Sequence, residues 1–255
     1  MVKEQKKSPF KHRVQKVKAK FLATYYSNPA KDIKIIAVAG TVGREITAHY
    51  LHNIIKVLDE KAGLILEPTS TSDLYKQLFA HWKDGANYAV ISLPSKALAN
   101  HFCYGLPIHI AVLTDNPEDQ GSAITNVSTD EQQAKSILFN TQPNFSIICR
   151  DSSNYDVFSH FPTHTATFSY GRDREADLRI NRSKLYKVGA EANFTYGQDN
   201  FDVATYVTSE SAVYYMAAAT TAAFALDINI ENIIDGIADY EPSIPENTQP
   251  TNQQN

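Results

Sequence analysis

The sequence predicts a three-layer α/β domain built on a mainly parallel sheet. Three observations carry the prediction. Apolar strand-like runs alternate with helical patterns from residue 32 to about residue 142. The first run passes through a Gly-containing turn straight into a helix, as IKIIAVAGTVGREI over Ile33–Ile46. Hydrophobic residues make up 43% of the 255, enough for a sizeable core.

The strand-like runs are Ile33–Ala39, Gly63–Leu66, Tyr88–Leu93 and Ile108–Leu113. Helical patterns at Thr47–Glu60, Ser72–Lys83 and Pro94–Phe102 lie between them. Buried strands separated by helices read as right-handed βαβ units. Asn144–Cys149 adds a strand. Thr163–Ser169 and Asp177–Leu185 read as strands at the sheet edge or in a small appended sheet. Ser209–Leu226, with its AAATTAAFA run, predicts a close-packed helix, and Ile230–Ile237 a short one. The stretch after Tyr240 is polar and Pro-containing, so residues 241–255 are expected to be disordered.

Charge is unevenly spread. Residues 1–31 hold nine Lys or Arg and one Glu, a balance of +8. The total is −4, so the remainder carries −12. The chain reads as a basic arm on an acidic body, and no nucleic-acid surface is expected on that body. In the arm, Phe10, Val14, Val17 and Phe21 recur at helical spacing between lysines and arginine. That stripe is expected to pack on the body, with contact to an anionic membrane as the second reading. Asn28-Pro29 should end the arm. No signal-peptide core is visible, so a cytoplasmic location is expected, at most at the inner membrane surface. Cys103 and Cys149 fit a reduced protein without disulfides.

Several segments in order resemble the Mur ligase family, most closely its MurE branch. After the first strand the family reads G-T-N-G-K-T-T, and this chain reads Gly40-Thr41-Val42-Gly43-Arg44-Glu45-Ile46. The glycines and the helix start keep the shape of a phosphate-binding loop. Arg44 stands in place of Lys, and Glu45 in place of the hydroxyl that would hold Mg²⁺. Val90–Leu98 resembles V-M-E-V-S-S-H-A-L, with Ser92 for the metal-binding Glu and Lys96 for the His. Thr114 and Asp119 are what remains of T-N-L-x-x-D-H-L-D. Ala134-Lys135 with Leu138-Phe139 resembles A-K-x-x-L-F, so Lys135 is the one retained residue of catalytic type, although a lysine on an amphipathic helix is ordinarily solvated. Ile147–Ser152 resembles V-I-N-x-D-D and keeps Asp151. Val213–Ala218 resembles N-V-Y-N-x-x-A-A, with Tyr215 where the family places an Asn near the nucleotide base. That ring could stack on adenine, but a core tyrosine is the simpler reading.

The resemblance covers Ile33–Ile237 and implies the family's central, ATP-binding domain over residues 32–240. Nothing in the chain resembles the family's UDP-binding amino-terminal domain or its carboxy-terminal domain. Apolar positions match while charged catalytic positions do not. The expectation is a kept fold with lost chemistry, a MurE-like binding or regulatory partner of an active cell-wall enzyme. No cofactor or metal is then expected, and no acidic neighbour is left beside Glu45 to recapture an ion. An ATP- and Mg-dependent ligase completed by a second chain, and a Mg-independent phosphate-ligand sensor, are the alternatives. His49 and His52 read as surface residues, and Asp227, Glu231 and Asp235 as a solvated helix face.

Overall fold

The computed structural model describes residues 9–117, 129–161 and 166–242. The predicted tail from residue 243 onward and Asp119 lie outside them. Among the described residues nine strands form one sheet: β1 Lys34–Ala39, β2 Gly63–Leu66, β3 Tyr88–Leu93, β4 Ile108–Leu113, β5 Phe145–Cys149, β6 Ala166–Gly171, β7 Leu178–Tyr186, β8 Gly189–Tyr196 and β9 Asp199–Thr205. Their order is β2-β3-β1-β4-β5-β6-β7-β8-β9. Pairing is parallel from β2 through β7 and antiparallel from β7 through β9.

Side-chain alternation along β1 builds both cores. Ile36 and Val38 point to one face, Ile35, Ala37 and Ala39 to the other, and all five are fully buried. The first face is covered by α2 (Arg44–Ile55), α7 (Ala212–Phe224) and α8 (Ile230–Ala238). The second is covered by α3 (Thr71–Lys83), α4 (Ser95–Ala99), α5 (Thr129–Phe139) and α6 (Tyr155–Ser159), with Leu22 of α1 (Pro9–Tyr25) at its margin. These are the three layers that the sequence predicts. Every residue of α7 from Ala212 to Ala223 is buried, because small side chains let the helix settle onto the sheet. On α8 a side chain at Gly236 would strike the Ile54 backbone at 2.6 Å, so glycine sets the close crossing of α8 over α2. Helix α3 starts where Ser70 accepts a hydrogen bond from the Asp73 N–H at 3.1 Å.

Four expectations need correction. The first βα helix starts at Arg44 rather than Thr47 and ends at Ile55, because the turn runs straight into it. The helix expected over Pro94–Phe102 is only Ser95–Ala99. Strands β8 and β9 are not among the expected strands; β6 and β7 lie in the main sheet, the first of the two placements expected for them, and β8 and β9 extend it beyond β7. The fourth concerns the arm. The face of α1 that packs on the body carries Ala19 and Leu22, while Val14, Val17 and Phe21 of the predicted stripe are exposed. Ser27 and Asn28, both in the left-handed region, lie between α1 and the turn at Pro29–Lys31.

Candidate functional site

The strand order switches between neighbouring β1 and β4: the chain leaves β1 toward β2 on one side of the sheet and leaves β4 toward β5 on the other. In such sheets ligands bind beyond the carboxyl ends of the strands at that switch point. Residues Gly40–Gly43 lie there, between β1 and α2. Two hydrogen bonds from Thr114, at the end of β4, pin the turn: its N–H donates to the Ala39 carbonyl at 2.9 Å, and its hydroxyl to the Val42 carbonyl at 2.7 Å. Gly43 caps α2 in the left-handed region at φ 74°. Thr41 and Val42 are exposed at the rim, and Ile46 is half-buried.

Arg44 does not face open solvent beyond the loop. Its guanidinium donates to Glu45 Oε1 at 2.9 Å and to Glu67 Oε1 in a closer contact. A third donation, to the Thr41 carbonyl, is long at 3.5 Å. Glu67 follows β2 directly and adopts φ 46°, unusual for a residue with a side chain. The Glu45 carboxyl titrates above its ordinary 4.5 because burial disfavours its charge and because it shares a hydrogen bond with Glu67. Arg44 opposes that rise without cancelling it.

Lys135 is 1% exposed, contrary to the solvated lysine expected on an amphipathic helix. Its ammonium donates to Asp115 Oδ2 at 2.6 Å, and Asp115 is itself almost covered. Thr41 links this pair to the loop through long contacts of 3.4 Å to Lys135, Asp115 and Glu131. The loop, Asp115 and Lys135 are thus brought together. Sequence reading missed Asp115, Glu67 and Glu131 as members. The signal for the first two was position, since each follows the carboxyl end of a parallel strand. Acidic neighbours do remain near the loop, a correction to the expectation that none would, and Glu67 and Asp115 among them are held by cations.

Tyr215 is 2% exposed and lies on the loop itself, over Gly43. Ser92 sits on β3 beside Val38 of β1, fully buried, and its hydroxyl makes no hydrogen bond to a described residue. Lys96 is exposed on α4. Asp151 accepts from the N–H groups of Arg172 and Asp173 at 2.6 and 3.0 Å and from the Tyr214 hydroxyl at 3.0 Å, so it builds the turn after β6. His49 and His52 are half-buried, not surface residues: His49 stacks on Tyr240, and His52 Nε2 bonds the Ala62 carbonyl oxygen at 2.9 Å. Asp227, Glu231 and Asp235 are exposed.

A hard divalent cation needs several free anionic oxygens. Among the described residues no three His, Cys, Asp or Glu side chains cluster to provide them. Glu45 and Glu67 already hold a guanidinium, Asp115 an ammonium, and Ser92 and Lys96 bring no negative charge. The described residues do not fit a magnesium site. The same pairs neutralise the cations that would draw a phosphate.

The Mur ligase middle domain family matches residues 38–223. UDP-N-acetylmuramoyl-L-alanyl-D-glutamate–2,6-diaminopimelate ligases are similar in sequence. That of Listeria monocytogenes serotype 4b is 24% identical over 233 residues, 82% of this chain and 47% of the relative. That of Clostridium botulinum is 24% identical over 240 residues, 88% and 48%. This chain therefore spans about half the length of the curated relatives it matches. A solved structure of such a ligase superposes with a TM-score of 0.76 at 19% identity, covering 92% of this chain and 51% of the other. The MurF ligase of Thermotoga maritima, solved with ADP, gives 0.64 at 15% identity over 88% and 52%. At these identities the structures speak to the fold, and it is the fold built above. The family match spans well over half of the residues and begins within β1, just before the loop, so the chain belongs to the Mur ligase middle domain family.

Proposed function

We propose that this chain serves peptidoglycan precursor synthesis in the cytoplasm as a non-catalytic Mur ligase homologue that binds and regulates an active cell-wall enzyme. One observation carries the reading: Arg44, at the position of the family's phosphate-binding lysine, is clamped by Glu45 and Glu67. Phosphoryl transfer runs on positioning and on cations that neutralise developing charge. Here the loop's cation is already neutralised by two carboxylates, and Lys135 by Asp115. The intact sheet and cores support a role that needs the fold and not the chemistry.

Two measurements test the reading. Calorimetry with ATP and ADP, with and without Mg²⁺, is expected to give no magnesium-dependent binding. Affinity purification of the tagged chain from its native cells is expected to recover a Mur ligase or another cell-wall enzyme. Substrate-dependent ADP release by the purified chain, alone or with a second chain, would replace this reading with that of a ligase. Nucleotide binding that ignores Mg²⁺ would favour a phosphate-ligand sensor.

A further inference from the structure

Helix α1 has two apolar faces, and the body uses one. Ala19 and Leu22 are buried against it, and Tyr26, just past the helix, sets its ring 5.5 Å from that of Phe79. The other face carries Val14, Val17, Phe21 and Tyr25, exposed by 48, 68, 67 and 69%. Their spacing of three, four and four residues puts them in one stripe along the helix. Phe21 and Tyr25 stack with centroids 6.2 Å apart, which fixes two aromatic rings side by side on the outside.

We infer that this outer face seats the chain on an anionic lipid surface. Charge singles out that occupant. With about 100° of rotation per residue, Lys18 falls on one flank of the stripe and Lys20 on the other. Both are exposed, as is Lys16 beyond Lys20. Glu4 is the single acidic residue in positions 1–31. An apolar centre with lysines on both edges matches a headgroup layer, where rings enter the acyl boundary and ammonium groups reach back to phosphate. A nucleic-acid backbone would engage the lysines and leave Val17 and Phe21 against water. The body carries −12 and is repelled by the same membrane, so α1 is the face turned toward it. The stripe is short, so neither the apolar nor the electrostatic contribution holds the chain alone. This inference adds a location to the proposed role and does not depend on the chemistry at the loop.

The test is sedimentation of the full chain with vesicles of phosphatidylcholine alone and of equal parts phosphatidylcholine and phosphatidylglycerol. Binding is expected on the anionic vesicles only, weakening as salt rises. Val17→Ser with Phe21→Ser should lower vesicle affinity about tenfold or more. Lys16→Gln, Lys18→Gln and Lys20→Gln together should do the same and flatten the salt dependence. None of these changes touches Ala19 or Leu22, so unchanged thermal midpoints confirm that the variants fold. Absence of binding to anionic vesicles, or unchanged binding by both variants, overturns the inference. A dimer seen by light scattering and abolished by the Val17/Phe21 pair, without vesicle binding, would assign the stripe to a second copy. Duplex DNA binding lost only in the lysine variant would assign it to nucleic acid.

Discussion

The ring of Tyr215 lies so close over Gly43 that a β-carbon there would sit 1.9 Å from its Cε1. The aromatic side chain named as the base-side candidate packs on the loop's own backbone and is 2% exposed. Helix α7 thereby clamps the start of α2 from the far side of the turn. Glycine is required at this point twice over, by the left-handed φ of 74° and by the absence of room.

Gly43→Ala should therefore be costly. The left-handed conformation adds about 1–2 kcal/mol for a residue with a β-carbon, and the overlap with Tyr215 adds about 1–3 kcal/mol. Urea denaturation should show a loss of about 2–5 kcal/mol. Tyr215→Ala combined with Gly43→Ala should lose less than the sum of the single variants, because the double variant has no overlap to relieve. Strict additivity would mean that the ring moves aside without cost.

Lys135 and Asp115 form an ion pair that is nearly dry. Asp115→Asn leaves an ammonium buried without a counter-charge, and the expected loss is about 3–5 kcal/mol. Lys135→Met leaves the opposite charge stranded and should cost a similar amount. The double variant Lys135→Met with Asp115→Leu should recover much of that loss, since two apolar side chains need no partner. A double-mutant cycle read by urea midpoints gives the coupling. A coupling near zero would show that solvent reaches the pair.

Much of the fold was legible because it rests on periodicity. Runs such as Ile35–Ala39 are apolar throughout, as a strand buried on both faces requires. The sequence GAEANFTY of β8 has few β-branched residues and carries Glu and Asn, so it lacks a strand's usual composition. Strand β9 was readable: Phe201, Val203 and Thr205 alternate with exposed Asp202 and Ala204. At the site, the loop could be read from its glycines, and the exchanges at Arg44 and Glu45 from a resemblance. The clamp could not. Glu67 lies 23 residues from Arg44 and meets it only because β2 runs parallel on the far side of β3. The arm misled for a different reason. Its apolar spacing was real, but spacing alone cannot say which of two apolar faces meets the body.

Burial lowers the titration of His49, His52 and His109 below the ordinary 6.5. Lys56 adds repulsion at the first two, His81 at the second and Lys34 at the third. The unfolded chain therefore binds protons that the native state refuses. The stability these groups contribute is complete above pH 6.5 and is lost as pH falls through their native values. Urea midpoints between about pH 8 and pH 5 should fall with acidification. His52→Gln can still donate to the Ala62 carbonyl and should flatten part of that slope. An unchanged slope would place the acid sensitivity elsewhere.

The Arg44 clamp makes the sharpest prediction. Its guanidinium is held by two carboxylates, so a phosphate must compete with both. Glu45→Thr alone leaves Glu67 in place, and little gain in phosphate affinity is expected. Glu45→Thr with Glu67→Gln removes both negative charges and turns a net repulsion into attraction at the loop. Titration calorimetry with ADP in the absence of divalent cation should show affinity rising about tenfold over the unmodified chain, ~1.4 kcal/mol. That is at the lower edge of what one charge-assisted hydrogen bond contributes. Arg44→Ala on the same background should abolish the gain. If the gain survives without Arg44, the loop backbone and the start of α2 hold the phosphate by themselves, and the clamp is not what keeps it away.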